Sequence, residues 1–115
     1  MTPNEYQQLA KRTLIDAPEV PLTDLEAMQV WCAVGLAGEA GEILEHIKKA
    51  VFHRHGFDAD RTLEIKDELG DLCWYLAGLA TKLDLTLEEI MQHNVDKLKK
   101  RYPNGFNSED SKNRK

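Results

Sequence analysis

The sequence predicts an all-α fold, a four-helix bundle that is completed by oligomerisation. Three observations support this prediction. Apolar residues recur at spacings of three and four along most of the chain, and no stretch alternates apolar and polar residues as a strand does. Two capping boxes, Thr23 with Glu26 and Thr86 with Glu89, open such periodic segments. Helices joined by short connections pack as a bundle.

Start and stop signals place each helix. Thr2 is the expected N-cap of the first helix, with Pro3 at its first helical position. Residues 16–22 contain two prolines and form a connection, residues 53–60 form a loop, and Pro103 helps to end the last helix. The predicted helices are residues 3–15, 23–51, 61–83 and 86–101.

The length predicts a single helical domain at residues 1–106 and a flexible polar tail at residues 107–115. A core of this size covers only about two-thirds of the surface of the unfolded chain. Because Trp31, Trp74 and Tyr75 add apolar surface around the same helical faces, we expect a homodimer or homotetramer.

Composition excludes several classes of protein. The net charge of −5 argues against binding of a nucleic acid polymer. No apolar run is long enough for a membrane span and the N-terminus has no signal-peptide character, which predicts a cytoplasmic protein without a membrane partner. Cys32 and Cys73 fall on apolar helical faces, so we expect two buried free thiols.

Two helices each carry a carboxylate pair beside the apolar face. Glu39 lies in the middle of the apolar stripe of the second helix, and Glu42 lies about 60° to one side. Glu68 lies at the edge of the stripe of the third helix, and Asp71 lies about 60° further out. The two stripes consist of Leu25, Met28, Cys32, Leu36, Ile43, Ile47 and Ala50, and of Ile65, Leu69, Leu72, Leu76, Leu79 and Leu83.

Four converging carboxylates need a neutralising partner. An unpaired carboxylate that faces a core costs several kcal/mol, and four of them cannot satisfy one another. Mg²⁺ takes oxygen ligands and fits such a group. The alternative is salt bridging by Lys48, Lys49 or Lys66 on a solvated face.

Four glycines lie inside the predicted helices close to these carboxylates. Each costs about 1 kcal/mol relative to alanine, so something must offset that cost. Close helix packing is one explanation, and room for a substrate beside the carboxylates is another. The four are Gly35, Gly38, Gly41 and Gly70.

The fourth helix supplies amide and basic groups. Asn94 falls on the apolar line that contains Met91 and Leu98, and Lys97 and Arg101 follow it at i+3 and i+7. An amide, an ammonium and a guanidinium on one side of a helix are suited to phosphate recognition. Two alternatives stay open: a solvated basic turn that complements the helix dipole, and a buried Asn94 that fixes the register of the bundle.

Three segments together resemble the MazG-like family of all-α NTP pyrophosphohydrolases, over residues 31–106. GLAGEAGEILEHIKK contains Glu-x-x-Glu, and KDELGDLCWYLAGLA contains Glu-x-x-Asp followed by aromatic residues. LEEIMQHNVDKLKKRYPNGF carries the polar and basic set. The combination of ELGD with an aromatic-rich helix is specific, whereas Glu-x-x-Glu alone is not.

The resemblance implies a nucleoside triphosphate substrate, Mg²⁺ with Mn²⁺ as a substitute, and attack of water on the α-phosphorus that releases pyrophosphate. Nucleotide-pool cleansing is one role for this reaction. The implied catalytic metal ligands are Glu39, Glu42, Glu68 and Asp71. Candidates for phosphate or sugar contacts are Lys48, Asn94, Lys97, Arg101 and Tyr102. Trp31 is a candidate for stacking on the base, or else a core or interface residue.

Other functions fit the sequence less well. A ferritin-like di-iron bundle needs Glu-x-x-His twice, and no glutamate here has histidine three residues later. A zinc site built from His46, His53, His55 and the cysteines lacks a recognisable spacing. The remaining alternative is a non-catalytic module on the same fold, which senses nucleotides or binds other helical proteins.

Overall fold

The computed structural model describes residues 1–14 and 21–114, and within them the regular structure is helical. The five helices are α1 (Pro3–Ala10), α2 (Asp24–Val51), α3 (Ala59–Lys82), α4 (Leu87–Arg101) and α5 (Ser108–Lys112). The all-α prediction is confirmed, and α2 and α3 form its main packed pair. No helix in residues 1–14 or 21–114 is long and apolar enough to cross a bilayer.

Side-chain caps fix where the helices begin. Thr2, Thr23 and Thr86 each form a complete capping box with the glutamate three residues later. α3 begins two residues before its predicted start, because the Asp58 carboxylate accepts a hydrogen bond of 2.8 Å from the backbone N–H of Arg61.

Two termini differ from the prediction. α1 ends at Ala10 and continues as a 3₁₀ turn over Lys11–Thr13, so it is shorter than expected. Its predicted end at Ile15 and residues 16–20 of the predicted connection lie outside the described residues. In the predicted tail, Asn107 caps the short helix α5 through a 2.7 Å hydrogen bond from the backbone N–H of Asp110.

Gln7 joins α1 to the connection between α3 and α4. Its buried amide donates to the Thr81 hydroxyl (3.1 Å) and the Leu85 carbonyl (3.0 Å). Its carbonyl oxygen accepts from the backbone N–H of Leu87 at 3.0 Å. Beside it, Ala77, Ala80 and Leu87 form a small core that Tyr6, Ala10, Leu76 and Ile90 partly cover. α4 therefore packs mainly on α1, through its first turns.

Much of the predicted core is exposed in the single chain. Leu25, Ile47, Leu69, Leu83, Met91 and Leu98 were expected in buried stripes, but each is 39–52% exposed. Helical periodicity identifies an apolar face without revealing what covers it, and here no element of the described chain covers these positions. Cys73 is also exposed, contrary to the prediction, whereas Cys32 is buried; both thiols are free.

The chain is extended for its size. Its radius of gyration is 17.5 Å, against roughly 13 Å for a compact domain of this length. Its accessible surface is 8616 Å², against roughly 6400 Å² for a compact monomer of the same mass. The exposed apolar faces of α2, α3 and α4 account for part of this excess.

Candidate functional site

Three carboxylates meet where α2 faces α3. Glu39 and Glu42 are one turn apart on α2, and Glu68 approaches them from α3. One oxygen from each side chain lies within 4.8 Å of the oxygens from the other two. Carboxylate oxygens at this spacing can hold one hard divalent cation.

Glu39 carries the clearest sign of a missing partner. Its Oε2 atom is buried and accepts no hydrogen bond in the described part of the chain. A buried polar atom without a partner costs about 1–3 kcal/mol, and more when it is charged. A cation held by Glu39, Glu42 and Glu68 removes that cost, so the residues present fit a divalent metal ion.

Glu42 shows the mutual repulsion of the cluster. A hydrogen bond with Glu68 raises the pKa of Glu42, and the negative charges of Glu68 and then Asp71 raise it further. Two carboxyl groups can form such a bond only when they share a proton. When both groups are ionised they repel each other, which favours a bound cation at this position.

Asp71 was predicted to join this group and lies at its margin. It is exposed one turn beyond Glu68 and is not among the three clustered carboxylates. Its position about 60° outside the apolar stripe explains this, because its side chain leaves α3 on the solvent side of Glu68. Asp71 is near enough for its charge to act on Glu42.

Lysines do not neutralise the cluster. Lys48 pairs with Glu45 at 2.9 Å, and Lys49 approaches the same carboxylate at 4.0 Å. In residues 1–14 and 21–114, no lysine or arginine forms an ion pair with the four candidate ligands. The salt-bridge alternative therefore fails for the predicted lysines, and Lys48 lies in a surface pair.

The helical glycines fall into two groups. One glycine permits close helix packing, and the other three leave room for a substrate. Gly35 packs directly against the Tyr75 ring, so a larger residue there would collide with it. A Cβ atom added at Gly38, Gly41 or Gly70 would meet nothing within 4 Å. These three glycines leave open space beside the carboxylates of both helices.

An aromatic cluster lies along the same two helices. The Trp31 ring contacts Trp74 and Tyr75 edge-on, with centroid distances of 5.7 Å in each case. The Trp74 indole N–H donates to the Thr13 hydroxyl at 2.7 Å, which ties the 3₁₀ turn to α3. Trp31 itself is half-buried, so part of its surface stays accessible.

Two of the predicted phosphate-binding residues lie at the C-terminal end of α4, beside the C-terminal segment. Lys97 and Arg101 line a cavity of about 540 Å³ that α4 shares with the C-terminal segment. The Nε atom of Arg101 is buried without a hydrogen-bond partner among the described residues. Tyr102 packs against Phe106, with ring centroids 5.3 Å apart.

Within one chain, Asn94 is not the buried amide that the register alternative requires. It is exposed, and its neighbours Met91 and Leu98 are 47% and 41% exposed. The physical reason is that α4 contacts α1 mainly through its N-terminal turns, which leaves the later apolar positions uncovered in one chain.

Sequence reasoning missed a polar network next to the cluster. His46 lies within 3.7 Å of the Glu68 carboxylate, and Arg61 contacts both His46 (2.8 Å) and Glu64 (3.0 Å). The available signal was spacing: Glu39, Glu42 and His46 share one helical face, as do Arg61, Glu64 and Glu68.

Comparison with known proteins connects this site to a family. The family model described as the MazG nucleotide pyrophosphohydrolase domain matches residues 32–106. The chain is also similar to the "Gene 37 protein" of Mycobacterium phage L5, with 35% identity over 101 residues, or 87% of this chain and 88% of that protein. No solved structure matches the chain significantly.

The matched region contains the whole carboxylate cluster, the open glycines beside it and α4. An all-helical chain with paired carboxylates on two facing helices agrees with the family that its sequence matches. This chain belongs to the MazG nucleotide pyrophosphohydrolase family.

Proposed function

We propose that the chain is a Mg²⁺-dependent nucleoside triphosphate pyrophosphohydrolase that converts a (deoxy)nucleoside triphosphate and water into the monophosphate and pyrophosphate. The observation that carries this proposal is the buried, unpartnered Oε2 of Glu39 inside a cluster of three carboxylates. Family membership supports the general reaction, and the cluster supports the choice of a hard cation.

Each carboxylate has a proposed role. Glu39, Glu42 and Glu68 hold the cation, and Asp71 is a further ligand at the solvent side of the cluster. When bound, Mg²⁺ offsets the charge of the triphosphate and makes water a better nucleophile. The carboxylates also accept hydrogen bonds from the attacking water and so orient it.

The reaction moves few atoms. The water oxygen bonds to the α-phosphorus and gives one proton to a cluster carboxylate, which passes it to solvent, while the bond from that phosphorus to the oxygen that bridges to the β-phosphorus breaks. Pyrophosphate leaves with the bridging oxygen. The open space beside Gly38, Gly41 and Gly70 supports access of a phosphate chain to the carboxylates.

Trp31 is proposed to stack on the base. It precedes Glu39 by eight residues, or about 12 Å along a helix, which suits the length of an extended nucleotide. Its contacts with Trp74 and Tyr75 hold the ring in place at little further cost in side-chain entropy.

The phosphate contacts are proposed to come from a second copy of the chain. Among the described residues neither Lys97 nor Arg101 forms an ion pair with the carboxylate cluster, and α4 exposes its apolar line for packing. A homodimer can place this basic face of one copy beside the cluster of the other. Lys48 is then a further candidate for a phosphate contact, because its ion pair with Glu45 is exposed and weak and can be exchanged for a phosphate.

A panel of canonical and modified nucleotides, assayed for pyrophosphate release with and without EDTA, tests the function. We expect metal-dependent release of pyrophosphate and the monophosphate from at least one nucleotide. Release of inorganic phosphate and a diphosphate contradicts the proposed bond cleavage. Tight nucleotide binding without any turnover supports the sensing module instead.

A further inference from the structure

His46 lies in a chain of polar contacts that connects α2 with the first turns of α3. On one side, its Nε2 atom is 3.7 Å from Oε1 of Glu68. On the other side, its Nδ1 atom is 2.8 Å from Nη1 of Arg61 and 3.3 Å from Oε2 of Glu64. Arg61 extends the chain to His55, whose Nδ1 atom is 3.3 Å from Nη2.

Three side chains of this network are less exposed than is usual for polar groups near a protein surface. The side chains of His46, Arg61 and Glu68 are 19%, 13% and 17% exposed, while Glu64 at the outer edge is 52% exposed. The Arg61 guanidinium contacts Glu64 at 3.0 Å as well as the imidazole, so its orientation is fixed from two sides.

The contact from Arg61 determines which imidazole nitrogen carries the proton. A guanidinium N–H can only donate, so Nδ1 at 2.8 Å must accept with its lone pair. The 3.3 Å approach of Glu64 to Nδ1 follows from the bond of both groups to Arg61, because Nδ1 then has no proton to donate. The ring proton therefore lies on Nε2, the atom that faces Glu68.

From this geometry we infer that His46 is a positioning residue for the metal site: its Nε2–H, fixed by Arg61, orients the Glu68 carboxylate toward Glu39 and Glu42. The inference rests on the metal site of the proposed function. At 3.7 Å the Nε2 atom contacts the Glu68 carboxylate without a hydrogen bond in the metal-free chain; the proposed hydrogen bond forms when Glu68 turns to bind the cation, and it then restricts the rotation of that carboxylate. Since Nε2 carries the proton, His46 has no lone pair facing the cluster and is not itself a ligand.

Three variants separate this role from simple packing. His46→Leu removes the donor but keeps an apolar side chain of similar reach. His46→Gln restores an amide N–H donor near the position of Nε2. His53→Leu is the matched control, because His53 is an exposed loop histidine whose ring contacts His55 and not the cluster.

Binding of Mn²⁺ to the protein without nucleotide, followed by EPR, is the main measurement. We expect His46→Leu to weaken Mn²⁺ binding about 10-fold or more, and His46→Gln to stay within about threefold of the parent protein. His53→Leu should bind Mn²⁺ as the parent does. Circular dichroism confirms that each variant keeps its helix content.

Two spectroscopic readouts test the imidazole directly. Long-range ¹H–¹⁵N correlation spectra of the metal-free protein should show the proton of His46 on Nε2, and Arg61→Leu should reduce that preference. Pulsed EPR of the Mn²⁺ form should show no directly coordinated nitrogen.

The results separate the inference from the proposed reaction. Unchanged Mn²⁺ affinity in His46→Leu, equal losses in His46→Leu and His46→Gln, a proton on Nδ1, or coordinated nitrogen each overturns the role of His46. Metal-dependent pyrophosphate release by the parent leaves the reaction intact in all those cases. Weakened Mn²⁺ binding in His46→Leu without turnover of any nucleotide by the parent overturns only the reaction. Failure of the parent to bind Mn²⁺ overturns both.

Discussion

Glu42 and Glu68 lie on different helices, and a hydrogen bond between their carboxyl groups raises the pKa of Glu42. The bond needs one shared proton, so it is present at a pH below the raised pKa of Glu42 and is lost above it. Binding of a divalent cation replaces that proton. The stability of the α2–α3 pair should therefore depend on both pH and metal.

We expect Glu42→Gln to stabilise the metal-free protein near neutral pH. The folded state raises the pKa of Glu42, so the contribution of this group is complete below its ordinary value near 4.5. That contribution is lost as the pH rises through the raised value. Glutamine keeps an N–H donor for Glu68 at every pH. Melting curves in EDTA at about pH 5 and about pH 7.5 should show a smaller pH-dependent loss in the variant.

At neutral pH, Mg²⁺ should make the parent protein more stable than Glu42→Gln, which is the reverse of the order expected without metal. A ligand that binds only the folded state stabilises it, so the melting temperature of the parent should rise with Mg²⁺. Glu42→Gln has lost a charged ligand and should gain less. Equal gains in the two proteins would mean that Mg²⁺ binds elsewhere.

Glu39→Gln and Glu68→Gln should each abolish turnover without loss of helix. A bound cation supplies several kcal/mol of charge stabilisation, so we expect pyrophosphate release to fall by about 100-fold or more. Helix content by circular dichroism should match the parent, since neither side chain caps a helix. Glu88→Gln is the matched control, because it removes an exposed carboxylate at the start of α4. A similar loss in that control would point to a general effect of charge.

The starts of α2 and α4 were predictable because they depend on local chemistry. Thr23 and Thr86 cap the helices that their sequence spacing predicts, since a capping box needs only residues three positions apart. The convergence of Glu39, Glu42 and Glu68 was predictable from helical angles once α2 and α3 were assumed to face each other.

Burial and cross-helix contacts were not predictable in the same way. Met91 and Leu98 have the spacing of core residues, yet what covers them depends on how α4 packs, which no local pattern encodes. The contact of Arg61 with His46 joins two helices across the loop between them, and its existence depends on the exact offset of α3 along α2. A sequence pattern predicts which face of a helix is apolar or polar. It does not predict how far one helix is shifted along another.

The chain should form at least a homodimer, with α2 at the interface. Val30 and Val34 are 53% and 65% exposed and lie together on one face of α2. Sedimentation velocity at micromolar concentration should give a species of at least twice 13.1 kDa.

A charge on that face should break the dimer. Val34→Glu should shift sedimentation toward a monomer, because it buries an unpaired carboxylate at the contact. Val51→Glu changes the same residue type on another face of α2, where the side chain is 52% exposed, and should leave the dimer intact. A parent protein that sediments as one 13.1 kDa species contradicts the prediction.

Asn94→Ala should weaken nucleotide binding and leave stability almost unchanged. Asn94 is exposed and its side chain makes no hydrogen bond with any described residue, so it does not fix the register of α4 within the chain. Removing it should shift the melting temperature by no more than about 2 °C, as for most surface substitutions. Loss of a hydrogen bond to a charged phosphate costs about 1.5–3 kcal/mol, which predicts a KM about 10- to 100-fold higher.

The control for Asn94 is on the opposite side of the same helix. Gln92 is exposed and donates to Asp96 at 2.9 Å, so Gln92→Ala removes an amide of α4 that does not share a face with Lys97 and Arg101. Its kinetics should match those of the parent. Unchanged KM in a folded Asn94→Ala variant would overturn the ligand role. A large loss of melting temperature that depends on protein concentration would instead place Asn94 at the contact between two copies, where it fixes how α4 of one copy packs on the other.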